Sequence, residues 1–496
     1  MIEVKQVKMA CLSAVAVAAL AGCASQGDLK ASVAPLEAGR YGLVEAKAEG
    51  PESLAEGKAW WARLGDPALT ALIDEALSAH PDMQAASARL ARAQAAVQTR
   101  DAADMPQVGA HAELTRQRFT SNGLYPAPIA GNMWSIGTVQ LQGQWELDLF
   151  GRHGAELRSA VGQARAAQAD TQAARTLLSA NVARAYVQLA RQLAQREVAV
   201  RSLAQRDELL SLVRQRVDAG LDTNVELRQG EGALPETRQQ IEALDEQIAL
   251  SRHLLAALSA QPMAATAQLS PRLAQLQLNA LPAEVPMNLL AQRADVMALR
   301  WRAEAAGAEV DAARTLFYPN INIVGFLGFN ALGLDRVLKS SSQQYGATPA
   351  IDLPLFDAGR RQANLKGRLA EQDMAVAAYN GSVIEAVHDV ADQLTSGQSI
   401  DRQLQEQALA QRATESAYDL ALQRYRAGLG PYLTVLSAES AVLSQRRLGV
   451  DLRARAVDNR VGFIKALGGH WPAPTALAVP GAAPTTTNTS AKLSLN

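Results

Sequence analysis

Between Gln163 and Ala219 the chain runs for 57 residues without a single Gly or Pro. Drawn as one α-helix, that stretch is about 85 Å long at 1.5 Å per residue. A helix of such length must lay an apolar stripe against other helices along its course. The stripe is visible: Val182, Leu189, Leu203, Leu210 and Val217 fall on a seven-residue spacing that Arg196 interrupts. A second series, Val383, Val387, Val390 and Leu394, steps by four, three and four. Both patterns predict narrow, coiled-coil-like seams. Gln and Arg fill the other faces, so the helices are wet on at least one side. Composition agrees. Hydrophobic residues make up 48% but aromatics only 4%, and Ala supplies much of the difference. Ala is the best helix former and adds little volume, which favours long, closely packed helices over a thick core.

The length of 496 residues suggests about three domains by size alone. An internal duplication overrides that figure. Leu149-Phe150-Gly151-Arg152 finds its counterpart in Leu355-Phe356 followed by Gly359-Arg360. Arg216-Val217-Asp218-Ala219-Gly220-Leu221 matches Arg424-Tyr425-Arg426-Ala427-Gly428-Leu429. Pro81-Asp82 corresponds to Ala294-Asp295, and Pro106 to Pro319. The sequence therefore divides into two repeats, 65–261 and 286–469, joined by a linker, 262–285. Each repeat reads as a modest helix (Pro81 to Ala103; Ala294 to Leu316), a strand pair, a long helix, a Gly-containing turn and a returning helix. Gly230, Gly232 and Pro235 are expected to interrupt the first returning helix, and Gly381 and Gly397 to loosen the second long one.

The strand pairs are 107–120 with 133–149, and 320–330 with 343–353. Val139, Leu141, Trp145, Leu147 and Leu149 alternate with Gln140, Gln142, Gln144, Glu146 and Asp148. Ile321, Ile323 and Leu327 lie opposite Asn320, Asn322, Gly328 and Asn330, although Val324 and Phe326 share the polar side. Such alternation fits a transmembrane barrel strand and equally a half-buried soluble sheet. Four strands cannot close a barrel, and a sheet edge cannot remain unpaired in lipid. If these strands cross a membrane, several chains must share one barrel.

The first residues carry Lys5 and Lys8, then a run from Met9 to Ala21 that is apolar except for Ser13, ending Leu20-Ala21-Gly22-Cys23. This is a secretory signal, 1–22, too short for a permanent membrane span. Its end resembles the bacterial lipobox, which makes Cys23 the expected lipidation site. Ala24 after it suggests the outer membrane. Cleavage removes Cys11 and lipidation consumes Cys23, so no thiol is left for catalysis or a disulfide. Residues 23–64 read as a lipidated tether and equatorial segment, and 470–496 as a disordered tail. With 48 Lys+Arg against 49 Asp+Glu, no net field attracts nucleic acid.

Taken together, the lipobox, the two Leu-Phe…Gly-Arg strand exits and the repeated Ala-Gly-Leu turns resemble the TolC-like outer-membrane efflux proteins. The closest branch is that of the lipoproteins serving resistance-nodulation-division pumps. The likeness covers about residues 50–470 and is strongest over Arg424 to Leu436. It implies a mainly α fold with a transmembrane β part, in which long helices form an α-barrel tunnel. The strands, four per chain, form a shared twelve-stranded barrel in a homotrimer. The implied function is the exit duct of a tripartite efflux pump, working with a periplasmic adaptor and an inner-membrane pump. Service to a type I secretion system is the alternative, and a periplasmic scaffold or adaptor lipoprotein a more distant one.

The resemblance places Tyr425, Tyr432, Leu433, Thr434 and Ser437 at the periplasmic tip, with Gly220 and Gly428 permitting its tight turns. Relatives often carry Asp at the position of Ser437 and Arg at that of Ser440, so the usual ionic latch is missing from this helix. Asp222 and Glu226, on the first tip, would ring the mouth with acid and favour cations; equally, Asp222 serves as a local turn or cap residue. No P-loop, Rossmann fingerprint, nucleophile elbow or zinc-protease motif is present, and the six His have no metal spacing. The reading is therefore of a non-enzyme with no catalytic residue, no metal and no cofactor.

Overall fold

The two halves fold into the same order of elements, with three pairs of helices matched in length. The computed structural model describes residues 29–36, 59–277, 280–282 and 293–469. The expected signal peptide, Cys23, most of the 23–64 tether, part of the linker and the tail lie outside the described residues. The first half contains α1 (Pro67–Ala79), α2 (Pro81–Ala102), β1 (Gln107–Arg118), β2 (Met133–Leu147), α3 (Arg152–Asp218) and α4 (Asn224–Leu258). The second contains α5 (Ala294–Thr315), β3 (Asn320–Leu332), β4 (Gln343–Asp352), α6 (Arg360–Arg426) and α7 (Tyr432–Ala466). Helices α2 and α5 each have 22 residues, α3 and α6 each 67, and α4 and α7 each 35. The long helices are therefore each about 100 Å in length.

Local chemistry sets the helix starts. Asp66 caps α1, accepting from the amides of Ala68 and Leu69, with Pro67 in the first turn. His80 caps α2 in the same manner, accepting from the Asp82 amide, again with a proline behind it. The extra helix α1 is separated from α2 by this cap alone.

Two expectations about breaks are corrected. Helix α4 runs through Gly230, Gly232 and Pro235 without interruption. Pro235 costs α4 one internal hydrogen bond, but packing holds both sides of it. Gly230, Leu234 and Thr237 are buried, and Arg206 of α3 donates from Nη1 to the Ala233 carbonyl and the Thr237 hydroxyl. A Cβ at Gly230 would come within 2.9 Å of Leu210, so the glycine lets α3 and α4 approach. Helix α6 likewise continues through Gly381 and Gly397. Gly397 is a packing glycine whose Cβ would overlap Leu281 and Asn459.

The strands form one antiparallel sheet in the order β1-β2-β3-β4, so the central β2–β3 pairing joins the two halves. The register places Ala112 beside Val139, Val139 beside Phe329, and Leu327 beside Tyr345. One face therefore carries Val108, Leu114, Leu141, Leu327, Tyr345 and Ile351. These side chains are exposed in the single chain, Ile351 at 71% and Tyr345 at 79%. The opposite face carries His111, Gln140, Gln142, Asn322 and Gln344. There Gln344 donates to Gln140, and Asn330 to Thr138. The alternation read in the sequence is thus in phase across all four strands. Phe326, the aromatic that shares the polar face as the sequence indicated, covers Gly346 of β4, where a Cβ would lie 2.8 Å from its ring.

The main core lies midway along the helices. Trp60, Trp61, Leu64, Leu69 and Ile73 pack there against Tyr186 and Leu189 of α3 and Val457 and Val461 of α7. Tyr186 donates its hydroxyl to Asp66 at 2.7 Å, tying α1 to α3. Nearer the sheet, Gly162 of α3 faces Ala305 of α5, and the Arg165 guanidinium lies 4.6 Å from the Trp301 ring centre.

Candidate functional site: a paired helical tip

Helices α3 and α4 meet at one turn, and α6 and α7 at another, both at the end of the molecule remote from the sheet. The two turns are built alike. At the first, the Gly220 amide donates to Val217 at 2.9 Å and the Leu221 amide to Arg216 at 2.8 Å. At the second, Gly428 donates to Tyr425 at 3.0 Å and Leu429 to Arg424 at 2.8 Å. These are Schellman-type closures, with Gly220 at φ 73° and Gly428 at φ 75°. An L residue with a Cβ is strained there, which is why both positions are glycine.

The return into α4 is made by a capping box. Thr223 caps the helix through its hydroxyl to the Val225 amide, and Glu226 reaches back to the Thr223 amide at 2.9 Å. The Thr223 hydroxyl, and then the backbone amides, hold the Glu226 carboxyl below its ordinary range.

Asp222 ties the two tips together. Arg216 donates to it from Nε at 2.9 Å and from Nη2 at 3.3 Å, and the Tyr425 hydroxyl donates to the same carboxylate. The Arg216 guanidinium lies over the Tyr425 ring, 4.6 Å from its centre. Burial pushes the Asp222 carboxyl up, but the hydrogen bonds from Arg216 and Tyr425 outweigh it and hold the group below its ordinary range. Burial, and then the bond to Asp222, push the Tyr425 hydroxyl well above its ordinary range. Tyr425 is fully buried, and the Tyr432 ring sits 5.8 Å away within a cluster that includes Leu209, Val213 and Val435.

The expected tip residues thus fall into two groups. Asp222, Tyr425 and Tyr432 come together in the seam between the hairpins. Glu226 is half-buried in its cap, while Leu433, Thr434 and Ser437 lie on an exposed face of α7. The Ser437 hydroxyl donates to the Leu433 carbonyl of its own helix. An ion pair does form within the first tip, between Arg216 and Asp222. Arg216 entered the sequence reading only as part of the repeat. Its partner lies six residues away across the turn, a separation that no helical spacing rule flags.

A second inter-hairpin contact stands twelve residues before the end of α3. Arg206 donates from Nε to Glu439 of α7 at 3.0 Å while holding Ala233 and Thr237 of α4. Both side chains are buried, at 12% and 6% exposure. Other charged contacts between α3 and α7, Arg191 with Asp451 and Arg184 with Asp458, are more open to solvent.

A channel built on these parts has a physical logic: an apolar-faced sheet, long helices beneath it, and a tied tip at the far end. The model for the family described as "Outer membrane efflux protein" matches the chain twice, over residues 72–261 and 285–469.

The chain belongs to the outer membrane efflux protein family.

It is similar to the putative multidrug resistance outer membrane protein MdtQ of Escherichia coli K12, at 31% identity over 420 residues, covering 83% of this chain and 88% of the relative. The crystal structure of the outer membrane protein VceC of Vibrio cholerae superposes with a TM-score of 0.78 at 33% identity, covering 82% of this chain and 98% of that one. The outer-membrane channel OprN gives a TM-score of 0.79 at 28% identity, covering 90% and 98%. The protein is therefore an outer-membrane efflux channel, mainly α-helical, with its sheet as the membrane part. The family and fold are those of channels rather than enzymes.

Proposed function

We propose that this chain is the exit duct of a tripartite pump, working as a homotrimer with a periplasmic adaptor and an inner-membrane resistance-nodulation-division pump. Three sheets close one twelve-stranded barrel, and three sets of long helices continue it as a tunnel across the periplasm. Cys23 carries the lipid. The cargo is small molecules, in line with the names of relatives such as the putative multidrug resistance outer membrane protein of E. coli. The observation that carries this reading is a four-stranded sheet with one apolar face and two edge strands, continuous with 100 Å helices. In a host deleted for its own duct, this chain co-expressed with its adaptor and pump restores drug extrusion. Drug accumulation that stays at the deletion level overturns the reading.

The tip is the gate of that duct. Asp222, Arg216 and Tyr425 hold the two hairpins together, Tyr432 backs them, and Glu226, Leu433, Thr434 and Ser437 face the mouth. Repeated in three copies, Asp222 and Glu226 set a negative ring that favours cations. Arg216 offsets the Asp222 charge, so Glu226→Ala shifts ion selectivity more and Asp222→Ala shifts conductance more. Unchanged selectivity in both variants in planar bilayers sinks the ring.

A further inference from the structure

Residues 29–36 lie against α6 far from the tip, held by two side chains seven residues apart. Asp373 accepts from the Ser32 amide at 2.9 Å, the Ser32 hydroxyl at 2.6 Å and the Val33 amide at 2.9 Å. Asn380 accepts from the Leu36 amide at 2.8 Å and donates to the Ala34 carbonyl at 3.0 Å. The last pair is the one a neighbouring β-strand would offer, donor and acceptor on residues i and i+2. We propose that Asp373 and Asn380 form a binding site for extended peptide backbone, whose ligand is this chain's own residues 29–36, and that this site sets the depth of the N-terminal lipid anchor.

The spacing fits such a site. Seven helical residues advance about 10.5 Å, and the three extended steps from Val33 to Leu36 advance about 10 Å. The two clamp residues therefore meet the strap in register. Leu29, Val33 and Leu36 are half-buried while Ser32 and Ala34 are exposed. Leu29 packs against a cluster of α5 and α6 that includes Val310, Phe317, Leu365 and Leu369. Apart from Ser32 and Leu29, the site reads the backbone and not side-chain identity.

The direction of the strap gives it a function. Leu29 lies beside Leu365 and Leu369, near the sheet end of α6, and Leu36 lies at Asn380, toward the tip. The chain before Leu29 therefore starts near the membrane side. Leu369 is nine residues into α6, about 14 Å below its start. The six steps from Cys23 to Leu29 can reach about 20 Å. A reach of that length from Leu29 spans the distance to the strand exits, where Leu355 and Phe356 are exposed. The depth argument rests on Cys23 being the lipidated residue; the clamp itself does not.

Hydrogen–deuterium exchange on the detergent-solubilised full chain tests the clamp, on which the anchor's depth depends. Residues 29–36 should exchange about tenfold or more slowly in the wild type than in Asp373→Ala/Asn380→Ala. Ser32→Pro, which removes two strap donors, the amide and the hydroxyl, and leaves α6 untouched, should lose protection likewise, and carries the test if the double variant fails to assemble. The segment should remain protected in Cys23→Ser. Unprotected exchange in the wild type, protection retained in both clamp variants, or loss of protection in Cys23→Ser overturns the clamp. The mass of the wild-type N-terminal peptide reports acylation separately: an unmodified Cys23 removes the anchor-depth argument and leaves the exchange result to stand by itself.

Discussion

Asp222 holds its charge more firmly than an ordinary carboxylate because two donors outweigh its burial, and that makes its behaviour with pH predictable. Its carboxyl pKa is lowered in the folded chain, so its contribution is present above the ordinary value of 3.8 and is lost as pH falls through the depressed value. Tyr425 is shifted the other way. Its contribution is present below the ordinary tyrosine value of 10.0 and fades only as pH rises through the raised one. The tip should therefore keep one closed conductance from about pH 4 to about pH 10; a step in single-channel conductance near pH 6 counts against the latch. Tyr425→Phe keeps the buried ring and removes the hydroxyl donor, which should cost about 1 kcal/mol. In planar bilayers that variant should open more often than the wild type while melting nearly as high. At this scale the sequence was partly legible. The tip glycines stand in a repeated motif, but the cap of α4, read as one role of Asp222, falls on Thr223, whose partner Glu226 stands three residues on as in a local capping pattern. Arg216 was not legible as a site residue, because its role depends on how two hairpins fold back and meet.

Among the helices, the strongest claim concerns Arg206 and Glu439, which are buried together between the two hairpins. Removing Arg206 leaves the buried Glu439 carboxylate without its counter-charge, so Arg206→Met should lower stability by about 3–5 kcal/mol, whereas in Glu439→Ala the guanidinium keeps Ala233, Thr237 and Glu236 and the loss should be smaller. Replacing both, as in Arg206→Met/Glu439→Leu, should return stability to near or above wild type, because the pair's desolvation cost disappears as well. A thermal-denaturation cycle over the two single variants and the double one measures this; additive losses would show that the pair is not coupled. Gly162 makes a second claim. Its Cβ would lie 2.9 Å from Ala305 and 3.2 Å from the Trp301 carbonyl, and backbone cannot step aside as a flexible side chain can. Gly162→Val should cost about 1–3 kcal/mol through the forced separation of α3 and α5. The helices were largely legible in advance because their signal is a long run without breakers and with one apolar stripe. Their continuity through Pro235 and Gly397 was not. Local propensity reports the cost of those residues, whereas the contacts offsetting it come from Arg206, Leu210 and Asn459, distant in sequence.

At the scale of the whole molecule, the duplication was legible because it survives as repeated residues at a nearly fixed offset, and the structure shows it as paired helices of identical length. The number of copies is a different matter, since no residue states it, but the sheet constrains it. Each chain brings four strands with an apolar face outward, and β1 and β4 each have one neighbour among the described residues. In lipid those edges must pair, so the strand count is a multiple of four. One chain is too few. Two chains give eight strands, a barrel whose interior is just filled by its side chains. The inward face here already carries Gln140, Gln142, Gln344 and Phe326, which would occlude so small a bore. The bore argument thus excludes one and two chains, and three, the number that the family implies, give twelve strands and a water-filled passage, which a duct requires. The detergent-extracted complex should therefore have the protein mass of three chains by native mass spectrometry and conduct ions in planar bilayers. A two-chain mass would contradict the bore argument, and a monomer would contradict edge pairing as well.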